Sequence, residues 1–302
     1  MISLFRERTL VGLPLLLDAA MGTELERLGA AASPSLWSAR ALVDSPRTVQ
    51  AIHAENAAVG AEILTANTFR THRRSLEAAG LGDRAAELTR TAVALARSAA
   101  AAAHAGRTVF VAGSLSPLED CYRPDLVPHD ATLSREHGRQ ARSLAEAGAD
   151  VILLETHNTV RELVAAARAA RETGLPVVAS MVTDGAGRRL SGEPIEAAVA
   201  ALAPIAPDVF AINCVPARRL LPDLERLSAA AHEYRIPVGA WGNLGRPSSE
   251  APGRLTDEES PDDFAKCAAS WIQAGARIVG GCCGTQASHT AAVRRILDSE
   301  NG

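Results

Sequence analysis

Three of the five cysteines follow short apolar runs, in positions where their sulfurs could meet. Cys282 and Cys283 are adjacent and lie among glycines in residues 278–285 (IVGGCCGT), while Cys214 ends residues 209–214 (VFAINC). Adjacent cysteines rarely bond to each other, because the intervening trans peptide makes normal disulfide geometry hard to reach. Flanking glycines remove bulk where two sulfurs converge. Three thiolates at strand ends are suitable ligands for a soft or borderline cation such as Zn²⁺.

Such a site has a definite chemistry. Three protein ligands leave zinc one open tetrahedral position, as in catalytic sites. Zinc deprotonates a coordinated thiol, so a thiol substrate could be held as a thiolate at neutral pH. Three anionic sulfurs make the metal a weak Lewis acid towards water, so alkylation of a thiol fits better than hydrolysis. The alternative is that the cysteines are small core residues, since free cysteine is often buried.

Two carboxylates each end an otherwise apolar run. Asp18 closes residues 14–18 (PLLLD), and Glu155 lies in residues 150–157 (DVILLETH). A buried carboxylate without a partner is costly, so each requires a cation, which a ligand could supply. The alternatives are that Asp18 caps the following helix and that Glu155 pairs with an arginine of the scaffold.

Other polar residues stand at the ends of the same apolar runs, and we expect their side chains to face one shared mouth. They are Asn67, Thr68, His157, Ser180, Thr183 and Asn213. His157 is a candidate fourth ligand or base, although a lone loop histidine is more often neither. Trp37 is a single aromatic residue in a loop-like region, where packing or a surface position is the default. Cys121 and Cys267 have no apparent partners, and Cys267 lies in a helical pattern.

The elements that must position these residues alternate regularly. Helix-like segments, clearest at residues 84–103, 134–147, 160–173 and 195–202, separate eight apolar runs at residues 14–18, 61–69, 108–114, 150–157, 176–182, 209–214, 237–243 and 278–282. Continuous apolar strands alternating with helices favour a parallel sheet buried on both faces. Eight units predict a single (β/α)8 barrel. The alternative is a doubly wound open sheet, which the lack of a GxGxxG motif after the first strand disfavours.

Nothing in the sequence divides the chain, so residues 1–302 are predicted to form one domain. The proline-containing stretches at residues 116–128 and 245–261 read as long strand-to-helix loops, where barrel enzymes place the cover of their active sites.

Composition excludes several function classes. The net charge is −4 and the pI is about 6.1, so no broad basic face is available for nucleic acid. No apolar run reaches the length of a membrane span, and the first residues lack the pattern of a secretory signal. We therefore expect a cytoplasmic protein in a reducing setting, where cysteines bind metals or take part in catalysis.

The motifs together resemble the homocysteine S-methyltransferase family along nearly the whole chain. They are residues 18–25 (DAAMGTEL), 65–69 (TANTF), 154–156 (LET), 191–193 (SGE), 213–214 (NC) and 280–285 (GGCCGT). The last motif is highly specific, and the order and spacing of the set make coincidence a poor explanation.

The resemblance implies a (β/α)8 barrel with zinc held by Cys214, Cys282 and Cys283 and with homocysteine bound to zinc through its sulfur. It implies that Asp18 and Glu155 hold the substrate ammonium group. It also implies that backbone N–H groups of Ala20, Met21 and Gly22 receive the substrate carboxylate and that Trp37 lies near the methyl donor. The expected partners are therefore small molecules, namely homocysteine and a sulfonium or ammonium donor such as S-methylmethionine, S-adenosylmethionine or betaine.

The donor is left open by the sequence. Residues 114–120 (SLSPLED) differ from the Gly-Pro-containing loop of members that use S-methylmethionine. A quaternary ammonium donor would favour an aromatic cage, and the chain has only ten aromatic residues. Two alternatives therefore accompany the prediction: the same zinc barrel acting on another thiol or donor, and a barrel without turnover that uses Cys282 and Cys283 as a redox switch.

Overall fold

A computed structural model describes residues 1–30, 36–103, 107–245 and 259–299. Eight parallel strands form one sheet, in the order β1-β8-β7-β6-β5-β4-β3-β2. Their bounds are β1 Leu15–Leu16, β2 Ile63–Ala66, β3 Phe110–Leu115, β4 Val151–His157, β5 Val177–Met181, β6 Val209–Pro216, β7 Val238–Asn243 and β8 Ala276–Gly281.

The sheet closes between its first and second strands. Leu17 bridges Ile63 in parallel, the Asp18 N–H donates to the Ile63 carbonyl at 3.0 Å, and the Glu62 N–H donates to the Leu16 carbonyl at 2.7 Å. The predicted (β/α)8 barrel is therefore confirmed, and the open-sheet alternative is wrong.

Twelve α-helices accompany the strands in the described part of the chain. They are α1 Ile2–Leu10, α2 Gly22–Arg27, α3 Ala41–Asp44, α4 Pro46–Ala58, α5 Arg73–Glu77, α6 Ala85–Ala102, α7 Asp130–Glu146, α8 Val160–Arg171, α9 Ile195–Leu202, α10 Ala217–His232, α11 Pro261–Gln273 and α12 Ala287–Ser299. The helices predicted from periodicity correspond to α6, α7, α8 and α9. None of the helices in the described ranges combines the length and apolar character that a bilayer crossing requires.

Apolar side chains fill the inside of the barrel. Side chains alternate between the two faces of a strand, and one face of each strand meets the others at the axis. This interior cluster consists of Leu15, Leu17, Ile63, Phe110, Ala112, Val151, Leu153, Val178, Val209, Ala211, Trp241 and Ile278. Phe5 of α1 joins this cluster and meets the Phe110 ring edge-on at 5.2 Å. The opposite face of the strands packs against the ring of helices.

Two long loops were predicted to cover the mouth. The one after β3 is described, and its residues Leu118 and Tyr122 line the central cavity. The second prediction, residues 245–261, falls largely on residues 246–258, which lie outside the described residues.

Candidate active site

The three predicted cysteines meet at the mouth of the barrel. Their Sγ atoms all lie within 4.8 Å of one another, and Cys214 Sγ is 3.8 Å from Cys283 Sγ. Cys214 is buried, whereas Cys282 and Cys283 are partly exposed to the cavity. The set has the spacing and donor type of a metal site with three protein ligands.

Electrostatics favours a cation among these sulfurs. Hydrogen bonds from the neighbouring thiols lower the pKa of Cys214 well below its ordinary value. Hydrogen bonding with Cys214 raises the pKa of Cys282 and of Cys283 well above the ordinary value. Ionisation of all three neighbouring sulfurs would therefore require a positive charge at their centre. The donor set fits a zinc ion on this ground.

Glycines permit the close approach of the cysteine pair to β1. A Cβ on Gly280 would lie 2.6 Å from Cβ of Leu17, and a Cβ on Gly281 would lie 2.2 Å from Oγ1 of Thr285. Any side chain at either position would push the end of β8 away from its neighbours. The glycines before the pair thus relieve crowding, as the sequence indicated.

Asn243, at the end of β7, links the cysteines of two strands. Its Oδ1 accepts from the Cys283 N–H at 3.0 Å, and its Nδ2 donates to Cys214 Sγ at 3.6 Å. The Cys282 N–H donates to the Gly242 carbonyl at 2.8 Å. Hydrogen bonds to a ligating group orient it and tune its basicity, so β7 supports a site to which it contributes no sulfur.

Asn213 holds the ends of three adjacent strands together. Its Oδ1 accepts from the Thr156 N–H at 2.9 Å and from Ser180 Oγ at 2.7 Å, and its Nδ2 donates to Thr156 Oγ1 at 2.9 Å. Thr156 and Cys214 both have positive φ, 61° and 60°. Such backbone is costly for residues other than glycine and persists where its surroundings fix it. The buried Asn213 amide supplies that restraint.

Asp18 does not cap a helix. Its carboxylate accepts from the Thr65 N–H at 2.8 Å and from Thr65 Oγ1 at 2.9 Å, and its Oδ2 lies 3.9 Å from Nδ1 of the buried His53. Burial raises the pKa of Asp18 to about 7, and the hydrogen bonds from Thr65 offset only part of that effect. No arginine or lysine of the described residues pairs with it, so the carboxylate lacks a full positive partner.

Glu155 likewise lacks an arginine partner among the described residues. Ser114 Oγ donates a short hydrogen bond to its Oε2. Removal from water raises the pKa of Glu155 to about 7, and the neighbouring Asp18 and Cys214 charges add to the effect. Asp18 and Glu155 line the same cavity, and the charge of Asp18 acts on Glu155, so a cation bound beside them would stabilise both carboxylates.

These groups line one cavity of about 640 Å³, large enough for two small molecules. Trp37 forms part of its wall. Its indole packs closely on Gly22 at the start of α2, where an added Cβ would lie 2.1 Å from the ring Cζ2 atom. Its Nε1 donates to Glu26 Oε1 at 2.6 Å, and its ring meets Phe69 edge-on at 5.8 Å. These three contacts fix the Trp37 indole, for which the sequence alone indicated only a packing or surface role.

The turn between β1 and α2 offers a substrate carboxylate fewer free N–H donors than the family resemblance implies. The Ala20 N–H donates to Thr285 Oγ1 at 3.2 Å. The N–H groups of Met21 and Gly22 have no hydrogen-bond partner among the described residues, and both residues line the cavity. A carboxylate at this turn would therefore meet Met21 and Gly22 rather than all three.

Several residues expected at the mouth lie elsewhere. Asn67 and Asn213 line the cavity, but Thr68, His157, Ser180 and Thr183 do not. His157 is wholly buried, and its Nε2 contacts the Leu115 carbonyl at 3.1 Å. Burial lowers its pKa to about 3. The expectation that His157 faces the mouth is wrong, because β4 changes register between Leu154 and His157.

Tyr122 is a site residue that the sequence did not single out. Its hydroxyl lies 2.9 Å from Cys214 Sγ. Removal of the hydroxyl from water, followed by the nearby Cys214 charge, raises the pKa of this phenol, so it remains a neutral donor. Two hydrogen bonds fasten its loop to the region after β4, from Asn158 Nδ2 to the Cys121 carbonyl and from the Leu118 N–H to Glu162 Oε1, both at 2.9 Å. No periodic pattern marks such a loop residue.

The model of the homocysteine S-methyltransferase family matches residues 15–297. The chain belongs to this family. A homocysteine S-methyltransferase from Escherichia coli is 30% identical over 298 residues, covering 93% of this chain and 94% of that protein. The metallated form of the homocysteine methyltransferase MmuM from Escherichia coli has a TM-score of 0.81 at 28% identity, covering 94% of this chain and 96% of that chain.

A methionine synthase from Mycobacterium tuberculosis is 30% identical over 321 residues, which cover 99% of this chain. The match takes in 26% of that protein, so the chain spans about a quarter of the length of this family relative. Membership of the family is thereby established, and the reaction, the methyl donor and the metal are questions for the site itself.

Proposed function

We propose that the protein is a zinc-dependent methyltransferase that moves a methyl group from a sulfonium or ammonium donor to the thiol of homocysteine, giving methionine. The observation that carries the proposal is the meeting of Cys214, Cys282 and Cys283 in one cavity with the buried Asp18 and the half-buried Glu155. Family membership over residues 15–297 supports the same reaction class.

Asp18 and Glu155 would bind the ammonium group of the acceptor. Each has a pKa raised to about 7 by its removal from water, and a cation between them would restore the ionised form of both. A plain thiol has no ammonium group and would gain nothing from this pair. The two carboxyl groups therefore favour an amino-acid thiol over a simple one.

Zinc, when bound to the three cysteines, would hold the acceptor sulfur as a thiolate. Neighbouring side chains of the protein orient the cysteine sulfurs for this role. Asn243 orients Cys214 and Cys283, and the Tyr122 hydroxyl contacts Cys214 Sγ from the cavity side. Asn213 bonds to Thr156 and so helps to fix the positive-φ backbone at Thr156 and at the adjacent Cys214.

The transfer step needs no general base. The acceptor thiol has already lost its proton, so its sulfur forms the new S–CH₃ bond while the donor's bond to the same carbon breaks. The bonding electron pair remains on the donor, which leaves as a neutral thioether or amine. The chain contributes by placing the two reactants in line and by covering the cavity with Leu118 and Tyr122.

A donor-by-thiol panel tests the proposal. The zinc-loaded protein is incubated with S-methylmethionine, S-adenosylmethionine or betaine, each paired with homocysteine, cysteine or 2-mercaptoethanol, and products are identified by mass spectrometry. We expect methionine from homocysteine with at least one donor and little methylation of 2-mercaptoethanol. Methylation of every thiol at equal rate would contradict the role given to Asp18 and Glu155. No methylated product with any pair would refute the reaction.

A further inference from the structure

Arg70 is a cation of the cavity wall that has no ion-pair partner in the described part of the chain. It lies in the connection after β2, next to Phe69, and lines the same cavity as the cysteines. Its guanidinium lies 5.2 Å from the centre of the Phe69 ring, and its Nη1 donates to the Glu119 main-chain carbonyl at 3.3 Å. No carboxylate of the described residues forms an ion pair with it. A guanidinium carries five N–H donors, so most of those of Arg70 remain free.

Arg74, on the same wall, is an arginine whose charge is neutralised by carboxylates. Its guanidinium pairs with Glu119 at 2.9 Å and with Glu136 at 2.7 Å. The Glu119 carboxylate is thereby committed to Arg74, while Arg70 receives only the main-chain oxygen of the same residue. The two arginines therefore differ in charge balance, and of the described arginines that line the cavity Arg70 is the one that no carboxylate pairs with.

The rings of Phe69 and Trp37 continue the cavity wall from the Arg70 guanidinium. The Phe69 ring stacks against Arg70 and meets Trp37 edge-on at 5.8 Å. Trp37 also lines the cavity and offers an aromatic surface to an onium group. A molecule along this wall would meet an aromatic surface first and a guanidinium further on. That order suits a donor with a methylated cation at one end and an anion at the other.

A positive charge at this position would repel a donor that carries only its onium charge, whereas a carboxylate on the donor would convert the repulsion into a charge-assisted hydrogen bond. We propose that Arg70 anchors the carboxylate of the methyl donor and thereby selects zwitterionic donors over simple onium cations. This inference rests on the proposed methyl transfer, which it deepens by naming the class of donor.

Other residues of the cavity are assigned to binding the acceptor. Its ammonium group is assigned to Asp18 and Glu155, and the free N–H groups of Met21 and Gly22 lie at the first turn, on the β1 side. Replacement of Arg70 is therefore expected to leave the homocysteine KM unchanged at saturating donor.

The test compares two donors that differ in one group. S-methylmethionine and its α-carboxamide share the sulfonium and ammonium groups, and only the former has a carboxylate. We expect Arg70→Gln to lower kcat/KM for the carboxylate donor about 10- to 100-fold, as for loss of a hydrogen bond between charged groups, and to leave the carboxamide unchanged or improved. Arg70→Lys should restore part of the loss, because it keeps the charge without the fork.

Arg73→Gln is the matched control. Arg73 neighbours this wall on α5, is exposed and pairs with Glu77 and Asp83, each at 3.1 Å. It should alter neither donor. An equal loss for both donors in Arg70→Gln, or a raised KM for homocysteine, would overturn the anchor.

A binding measurement separates this inference from the reaction on which it rests. The affinity of each donor is measured by calorimetry for the wild-type chain and for Arg70→Gln, with thermal unfolding as a check on folding. If carboxylate binding depends on Arg70 while no methyl transfer occurs with any donor, the anchor is supported and the proposed reaction is refuted. If both proteins bind the two donors equally, the anchor is refuted whatever the turnover.

Discussion

The hydroxyl oxygen of Tyr122 lies 2.9 Å from Cys214 Sγ. The loop after β3 thus reaches a cluster whose sulfurs come from β6 and the end of β8. Because Tyr122 and Cys214 line the same cavity and touch there, the phenol occupies one side of the space around the sulfurs. The contact also gives a neutral O–H donor to the thiol with the lowest pKa of the three.

Tyr122→Phe should weaken metal binding. The substitution removes one hydrogen bond to a ligating sulfur, and loss of such a partner typically costs 10- to 100-fold in affinity. We expect a decrease of about tenfold, measured by competition with a chelator. Tyr234→Phe is the control, since Tyr234 is exposed and makes no side-chain hydrogen bond among the described residues. Unchanged affinity in Tyr122→Phe would show that the contact does not support the site.

Cys282→Ser should lose zinc and methyl transfer together. A serine hydroxyl is not a thiolate, so two sulfurs would remain where the site requires three. Elemental analysis and product formation are measured on the same sample. Cys267→Ser serves as the control, because Cys267 lies on α11 and takes no part in the cluster. Stoichiometric zinc with full turnover in Cys282→Ser would refute the metal assignment.

Ligand binding should depend on pH through the carboxyl groups of Asp18 and Glu155. Both have a pKa raised to about 7, and an ammonium ligand binds their ionised forms. Affinity therefore rises as pH rises through 7 and is lost below it. For L-norleucine, which has no thiol, we expect about a tenfold increase between pH 6 and 8 per carboxyl group that must ionise, measured by calorimetry.

Asp18→Asn should remove part of that pH dependence and weaken binding at pH 8. Asp44→Asn is the control, because Asp44 is exposed and pairs with Arg40. An affinity that falls between pH 6 and 8 in the wild-type chain would contradict the carboxyl pair as the ammonium site.

Gly22→Ala should displace the Trp37 indole. A Cβ at residue 22 would lie 2.1 Å from the ring, so the ring must move and leave Glu26 and Phe69. We expect the donor KM to rise about tenfold or more, as for other losses of a packed aromatic contact, with a smaller change for homocysteine. Gly138→Ala is the control, since its added Cβ would meet only the flexible Arg142 side chain at 3.4 Å. An unaltered donor KM would indicate that Trp37 does not contact the donor.

Residues on strands were the predictable part of the site. Asp18, Glu155 and the cysteines each follow an apolar run, and in a parallel barrel all such ends share one rim. His157 escaped this rule, because Thr156 adopts positive φ and β4 changes register before His157. Tyr122 and Arg70 could not be placed from sequence, since both lie in connections whose course depends on tertiary contacts with Cys214 and Phe69.

The closure of the barrel at Leu17 and Ile63 has a consequence for how ligands affect the whole molecule. The first strand is two residues long, and Asp18 directly follows Leu17, the residue that bridges Ile63. Fluctuations that part this seam carry Asp18 away from Glu155, so occupancy of the ammonium site and closure of the seam reinforce one another. Amide hydrogen exchange and proteolytic nicking near residues 15–18 should therefore slow when an amino-acid ligand binds.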